Sequence, residues 1–127
     1  MHHNALRQGH ARGKESISSF LCTNYTKNVG EEMLSALNTC ENAVNSDNWS
    51  LAEKHIEKAV SIWDSHHAKL AAFLIHSDLD DINDQLIKLK SYVNLNEKKS
   101  FITENKRLAA LVDDMSHMDA LTFGNLF

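Results

Sequence analysis

Apolar residues recur every three or four positions along most of the chain, which is the pattern of amphipathic α-helices. The first clear stripe consists of Tyr25, Val29, Met33, Leu37, Cys40 and Val44. It ends in the segment Asn45-Ser46-Asp47-Asn48, whose residue types favour turns and helix caps. Gly30 lies within the stripe and weakens a helix by about 1 kcal/mol relative to alanine. We therefore expect the ordered first helix to begin near Glu31.

A second helix is predicted directly after this turn. Ser50 and Glu53 have the spacing of a capping box, with Asp47 or Asn48 as the alternative N-cap. The apolar stripe has a period close to 3.5, typical of helical bundles, and comprises Trp49, Ala52, Ile56, Ala59, Trp63, Leu70, and Phe73 or Leu74. We expect the two tryptophans to anchor the core rather than to form a ligand cage, each indole N–H needing a partner. The helix is predicted to extend to Ile75.

Two further helices complete the predicted pattern. Ser77 or Asp78 can cap a third helix with the heptad stripe Leu79, Ile82, Leu86, Leu89 and Val93. The alternative is one continuous rod of about 69 Å from Trp49 to Asn94. A fourth helix is predicted from near Glu97 to about Leu121, with a stripe of Phe101, Leu108, Leu111 or Val112, and Met115.

Composition supports a helical fold. The chain has no proline, and no glycine occurs from Glu31 to Phe123, which argues against a barrel or sandwich with many tight turns. Amphipathic helices joined by short loops cover one another's stripes, and antiparallel neighbours are the default. The sequence therefore predicts an all-α, antiparallel up-down helical bundle of three to four helices over residues 15–127. Residues 1–14 are predicted to be a disordered basic leader.

Charge and hydropathy exclude several classes of partner. The net charge of the chain is −4, although residues 1–14 contain the basic residues Arg7, Arg12 and Lys14. The rest of the chain is therefore more acidic still. Because an acidic surface repels phosphate backbones, we expect no nucleic-acid binding. No stretch approaches the ~18–20 apolar residues of a membrane span, and the N-terminus lacks the apolar segment of a signal peptide. The sequence as written therefore indicates neither export nor an anchor, which is the pattern of a cytoplasmic chain, and the localisation is left open.

The residues capable of chemistry do not form a recognisable site. Asp64 with His67, and Asp114 with His117, have an Asp-x-x-His spacing similar to the Glu-x-x-His pairs of di-iron bundles. A helical wheel places Asp64, Asp114 and His117 away from the seams, so we expect no metal and no other cofactor. No nucleophile elbow or phosphate-binding glycine loop is present, and the sequence predicts a non-enzymatic protein.

Histidine and cysteine are assigned structural roles. His66 is the one polar residue near a seam and is expected to bond a neighbour, while His76 is expected to make a local cap or acid pair. Cys22 and Cys40 would lie about 27 Å apart on one helix. Because a disulfide needs Cα atoms roughly 4.4–6.8 Å apart, free thiols are predicted.

Several short motifs resemble a known bacterial family. They are Asp47-Asn48-Trp49 with Ala52, then Trp63, Ile75-His76-Ser77-Asp78 with Ile82, and the closing Asn125-Leu126-Phe127. Over about residues 33–127 these motifs resemble domain-of-unknown-function family number 4363. The resemblance implies a small helical protein without assigned catalytic residues. Members are commonly anchored in the membrane by an N-terminal helix with the bundle outside the cytoplasm, and residues 1–24 here hold no such helix.

The last seven residues carry four large apolar side chains, which define a candidate interaction tail: Leu121, Phe123, Leu126 and Phe127. Each stabilises a fold by roughly 1.5–3 kcal/mol when buried, so we expect the tail to fold back on the bundle or to complete a partner or dimer interface. The predicted function is a protein-interaction or structural module that binds a protein partner or itself. The alternative is a ligand-sensing bundle that binds a small molecule or ion between its helices.

Overall fold

The computed structural model describes the backbone of residues 2–72, 74 and 76–118, and the side chains of residues 20–72, 74 and 77–118. It contains four helices: α1 (His2–Asn45), α2 (Trp49–Ala71), α3 (His76–Asn94) and α4 (Lys98–Ser116). The described residues include no strand. The prediction of an all-α bundle is confirmed, whereas the division of the chain at residues 14 and 15 stays a prediction.

Packing contacts between α1 and α2 run in opposite order along the two helices. Late in α1, the Cys40 thiol donates a hydrogen bond to the backbone oxygen of Ala52, near the start of α2, at 3.2 Å. Earlier in α1, the Tyr25 hydroxyl is hydrogen-bonded to Nδ1 of His66, which lies near the end of α2. The two helices are therefore antiparallel.

The same order of contacts relates α1 to α4. Lys98, at the start of α4, donates through Nζ to the Asp47 carboxylate at 3.1 Å, while Ser116, at the end of α4, lies against Gly30. α3 packs against α2 and α4 and completes the ring of four helices. Each helix therefore has two neighbours and directs one stripe towards a common core.

The core consists of the predicted stripes. Its largest fully buried side chains are Trp63, Phe101, Met33, Leu37, Ile56, Leu70, Leu79, Ile82, Leu86, Leu89, Leu108 and Met115. Of the alternatives in α4, Val112 is buried and Leu111 is half-buried. Tyr25 and Trp49 are also half-buried and pack against the core from its edge. The period of about 3.5 therefore identified the buried face of each helix.

The prediction that the first helix begins near Glu31 is wrong. α1 continues through Gly30, where a Cβ atom would lie 2.6 Å from the Cβ of Ser116. Glycine is therefore needed for the close approach of α1 and α4, and it does not end the helix.

The predicted start and end of α2 are also corrected. The Asn48 side chain accepts a hydrogen bond from the N–H of Leu51 at 3.2 Å, so Asn48 is the N-cap and the capping box at Ser50 is wrong. α2 ends at Ala71 rather than Ile75, and α3 begins at His76. The alternative of one continuous rod is therefore wrong.

α4 ends earlier than predicted. Its last residue is Ser116, not Leu121, and His117 is the C-cap. The backbone N–H of His117 and the Ser116 hydroxyl both donate to the backbone oxygen of Asp113, at 3.1 and 2.8 Å. The bond from His117 is the ordinary one between residues four apart in an α-helix. The next backbone N–H, that of Met118, donates to the oxygen of Met115, three residues earlier, at 3.1 Å, and this tighter step ends the helix.

The helical hairpin α1–α2 has the same pattern of buried residues as the hairpin α3–α4, which follows it at a shift of 49 residues in the sequence. This shift places buried positions on buried positions, in the pairs Met33–Ile82, Leu37–Leu86, Cys40–Leu89, Val44–Val93, Ala52–Phe101, Ala59–Leu108 and Trp63–Val112. The polar turns that join the helices also match, with Asp47 at the position of Asn96. The bundle is therefore built from two similar hairpins.

Candidate interaction surface

The surface of α1 exposes two adjacent large apolar side chains at one end of the bundle. α1 has 44 residues and α2 has 23, or about 66 and 35 Å at 1.5 Å per residue. Tyr25 packs near the end of α2, so the earlier part of α1 extends beyond that helix. Phe20 and Leu21 precede Tyr25 by five and four residues, which places them level with the last residues of α2, and 69% and 60% of their surface is exposed. We call these two residues the α1 patch.

The chain around the α1 patch is uncharged. Charged residues make up 24% of the whole sequence, yet none occurs among residues 16–26. The nearest charges along the chain are Glu15 and Lys27. A partner that covers the α1 patch therefore does not have to desolvate a charged side chain from this stretch.

Phe20 and Leu21 point in directions about 100° apart around α1. Gly30 marks the direction of α4, because it contacts Ser116. At about 100° per residue, Phe20 lies about 80° from the Gly30 direction and Leu21 about 180° from it. Phe20 therefore borders the α4 side of α1, and Leu21 lies opposite.

About one helical turn after the α1 patch, Tyr25 connects α1 to α2. The Tyr25 hydroxyl is hydrogen-bonded to His66, the two rings meet edge-on with centroids 5.4 Å apart, and the Lys69 ammonium lies 4.4 Å above the phenol ring. Burial, with a smaller contribution from the Glu32 carboxylate, raises the pKa of Tyr25 above its usual 10.0. The expectation that His66 bonds a neighbour is confirmed.

The candidate metal pairs do not converge. Asp64, Asp114 and His117 are exposed, as the helical wheel predicted, and His117 contacts Asp113 on its own helix. His67 packs its ring against Trp63, with centroids 5.2 Å apart. Among the described residues, no three His, Cys, Asp or Glu side chains are grouped to hold a metal ion.

The tryptophans lie where core packing predicts them. Trp63 is 1% exposed and donates its indole N–H to Oδ1 of Asn83 at 3.2 Å, which satisfies the one polar atom of the ring. Trp49 is half-buried at the start of α2. Packing thus accounts for Trp63, and the described contacts do not form an aromatic cage around it.

Both cysteines are free thiols on α1, as predicted. Cys40 is buried, and burial, followed by the nearby Glu41 charge, raises the pKa of its thiol to about 12. A thiol of this pKa is protonated at neutral pH and is a weak nucleophile. Cys22 is half-buried.

Two buried amides were missed by the reasoning from sequence. Asn105 on α4 donates to the Leu37 backbone oxygen and to the Glu41 carboxylate, both at 3.4 Å, and its own Oδ1 has no partner. Gln85 on α3 donates to the backbone oxygen of Glu104 at 3.1 Å. The sequence did contain a sign that Asn105 is buried. The apolar stripe from Phe101 to Leu108 has no apolar residue one helical turn after Phe101, and Asn105 occupies that position.

The predicted interaction tail lies outside the described residues. Leu121, Phe123, Leu126 and Phe127 follow Met118, the last residue that the structure describes and one that is half-buried. The role of these four residues stays a prediction.

Fold and surface together define a small four-helix up-down bundle with an uncharged apolar patch on its longest helix. The chain belongs to the family described as Domain of unknown function (DUF4363), whose profile matches residues 20–126. This match confirms the resemblance seen in the sequence motifs. Comparisons with curated proteins and with solved structures found no match. Within the described residues, no helix is both long enough and apolar enough to cross a membrane.

Proposed function

We propose that this bundle is a non-enzymatic module that binds another protein through the α1 patch. The observation that carries the proposal is the pair Phe20 and Leu21, adjacent and exposed by 69% and 60%. Each such side chain contributes roughly 1.5–3 kcal/mol when it moves from water into an apolar contact. Among the residues whose side chains the structure describes, the other exposed large apolar residues, Leu51, Ile87 and Leu95, are separated from one another along the chain, and scattered apolar residues of this kind are ordinary on a protein surface.

The surroundings of the α1 patch indicate the chemistry of the partner. The patch lies on a helix and within eleven uncharged residues, so it suits the apolar face of a partner helix rather than a charged ligand. A second copy of this chain could supply such a helix, as could a different protein. The experiment below distinguishes the two sources by the mass of the complex.

Site-specific photocrosslinking in the native cells tests the proposal. A benzophenone amino acid at position 21 is compared with the same group at Ile87, which is 63% exposed but isolated. We expect a discrete protein adduct from position 21 only, identified by mass spectrometry. Direct binding with the purified, identified partner should then weaken at least about tenfold in Leu21→Ser. Ile87→Ser is the matched control and should bind normally.

Two outcomes would overturn this function. One is an absence of adducts from position 21 under conditions in which positive-control crosslinks form. The other is a partner whose affinity is the same for Leu21→Ser and the native chain. An adduct of twice the chain mass identifies the partner as a second copy and supports the proposal.

A ligand-sensing role is the second candidate, and one observation favours it. Oδ1 of Asn105 is a buried acceptor without a partner, and buried polar groups normally have one. A ligand with a hydrogen-bond donor would satisfy it. Metabolite mixtures that raise the melting temperature of the native protein, but not of Asn105→Leu, would support this role. An equal effect on both proteins would place the ligand elsewhere.

A further inference from the structure

We infer that the partner of the α1 patch is a second copy of this chain, and that the two copies pair through Phe20 and Leu21 with their α1 helices antiparallel. The inference rests on the proposed function, because it names the partner of the same surface. Such a pair has twofold symmetry, so each copy presents the same residues to the other.

The α1 patch lies on the side of α1 that faces away from the rest of the bundle. Gly30 marks the direction of α4, and Cys40, which donates to Ala52, marks the direction of α2. At about 100° per residue, Cys40 lies about 80° from Gly30 in one sense around the helix. In the other sense, Phe20 and Leu21 lie about 80° and 180° from Gly30. Neither α2 nor α4 therefore stands between the patch and a second α1 helix.

The charge of the chain favours pairing at an uncharged surface. In a twofold pair, each charged residue near the symmetry axis meets the same charge on the other copy, and this chain has a net charge of −4. Residues 16–26 are the longest stretch of the sequence without Asp, Glu, Lys or Arg. Two copies that meet there bring apolar surface together without placing like charges side by side. A charged partner, by contrast, finds no opposite charge on this segment.

The charges on either side of the patch select the antiparallel orientation. With histidine taken as neutral, residues 2–15 contain three basic side chains and one acidic one, whereas residues 27–45 contain three acidic side chains and one basic one. Of the acidic side chains after the patch, Glu31 and Glu32 are exposed. An antiparallel pair brings the acidic part of one α1 helix towards the basic part of the other, and a parallel pair brings like charges together.

Sedimentation of the purified full chain tests the pairing. We expect a weak, concentration-dependent dimer, as is usual for a small interface. Leu21→Ser should raise the Kd of the dimer at least about tenfold. Ile87→Ser, at an isolated position that is 63% exposed, is the matched control and should leave the Kd unchanged. A chain that stays monomeric up to millimolar concentration, or a Kd that is the same in Leu21→Ser, would overturn the inference.

Crosslinking between isotopically distinct copies tests whether patch meets patch. Unlabelled chain with a benzophenone amino acid at position 21 is mixed with native chain labelled with ¹⁵N, and the mixture is irradiated. We expect links from position 21 to residues 20–24 of the labelled copy, at least about fivefold more often than from the same group at position 87. Links to another face of the labelled copy, or equal yields from the two positions, would overturn the pairing.

Charge reversal tests the orientation. At low ionic strength, the double variant Glu31→Lys and Glu32→Lys should raise the Kd about threefold or more, because it brings like charges together in an antiparallel pair. In a parallel pair these substitutions only exchange one like-charge contact for another.

A variant with the same change in net charge provides the control for this reversal. Asp80→Lys with Asp84→Lys alters two exposed residues of α3, the helix that packs against α2 and α4, and should not raise the Kd. A Kd that is unchanged by the reversal in α1, or raised equally by both double variants, would overturn the antiparallel arrangement.

The two proposals fail separately. If position 21 captures a different protein in cells and the purified chain stays monomeric, the proposed function stands and the pairing fails. If the purified chain forms a dimer that depends on Leu21, but position 21 gives no adduct in cells, the proposed function fails and the pairing stands. An adduct of twice the chain mass in cells, together with a Leu21-dependent dimer in solution, supports both.

Discussion

Asp47 and Asn96 occupy the same position in two matching turns, with φ angles of 56° and 55°. At each turn the N–H of this residue donates to the carbonyl three residues earlier, at 3.0 and 3.1 Å, and the next N–H donates to the carbonyl five residues before it, at 2.8 Å. This is the Schellman arrangement, which ends a helix with one left-handed residue. Asparagine and aspartate tolerate that conformation better than most residues do.

The left-handed turn at Asn96 predicts a residue-specific effect on stability. Asn96→Gly should leave the free energy of unfolding unchanged or raise it slightly, because glycine adopts a positive φ without steric strain. Asn96→Val should lower it by about 1–2 kcal/mol, the cost of placing a Cβ in this region. Urea denaturation measures both variants. Leu95→Ala, at a neighbouring position 66% exposed, is the control, and equal losses for Val and Gly would contradict the prediction.

The sequence predicted the helices and their buried faces because both depend on local periodicity. Val29 and Met33, for example, were placed correctly from spacing alone. The effect of Gly30 was misjudged because its requirement comes from Ser116, which is distant in the sequence and becomes a neighbour only after folding. Intrinsic propensity does not include such a contact.

The α1 patch was not predicted for a different reason. Phe20 and Leu21 precede the first clear stripe, and a periodicity argument identifies residues that face a core, not those that face away from it. Their exposure became apparent only when α4 was seen to end at Ser116, which lies against Gly30, ten residues after Phe20 on α1. The apolar tail was identified from sequence because composition alone distinguishes it.

The close approach of Gly30 to Ser116 predicts a compensating pair of substitutions. Gly30→Ala should lower stability by about 1–2 kcal/mol, since the steric cost of overpacking exceeds the gain in helix propensity. In a Ser116→Gly background the clash is removed, so the same change should cost much less. Thermal unfolding of the four proteins gives the coupling between the sites. Additive effects would show that the helices are further apart than described.

Trp63 is the largest fully buried side chain, so truncating it should strongly lower the free energy of unfolding. Trp63→Ala is expected to cost on the order of 3–5 kcal/mol, as for other emptied aromatic sites. Trp49→Ala, at a half-buried position, is the matched comparison and should cost less than half as much. Chemical denaturation followed by circular dichroism measures both losses. A loss under about 1 kcal/mol for Trp63→Ala would contradict its place in the core.

Asn105 predicts opposite outcomes for two substitutions of similar size. Asn105→Leu should be neutral or stabilising, because it removes a buried amide whose Oδ1 has no partner. Asn105→Asp should be strongly destabilising at pH 7, since it places a carboxylate beside Glu41 and the Leu37 carbonyl. Denaturation at several pH values measures both.

The pH dependence of the Asn105→Asp variant has a definite sign. Burial raises the pKa of a carboxyl in the folded state above its unfolded value of about 3.9. The penalty should therefore be absent below about pH 4 and grow as the pH rises. A loss of stability independent of pH would contradict the burial of this site, and Asn105→Leu serves as the control without a titrating group.

The buried Cys40 thiol predicts both slow labelling and a loss of stability at alkaline pH. Cys40 should react with a thiol reagent at least about a hundredfold more slowly than Cys22 in the native protein, because labelling requires opening of the core.

The pKa of the Cys40 thiol is raised from 9.0 to about 12, mainly by burial and secondly by the Glu41 charge. Above pH 9 the unfolded chain therefore loses the thiol proton while the folded chain keeps it. The contribution of Cys40 should therefore fall between about pH 9 and 12, by at most about 1.4 kcal/mol per pH unit. Cys40→Ala removes this contribution, and identical pH profiles for the variant and the native protein would show that the thiol ionises freely in the folded state.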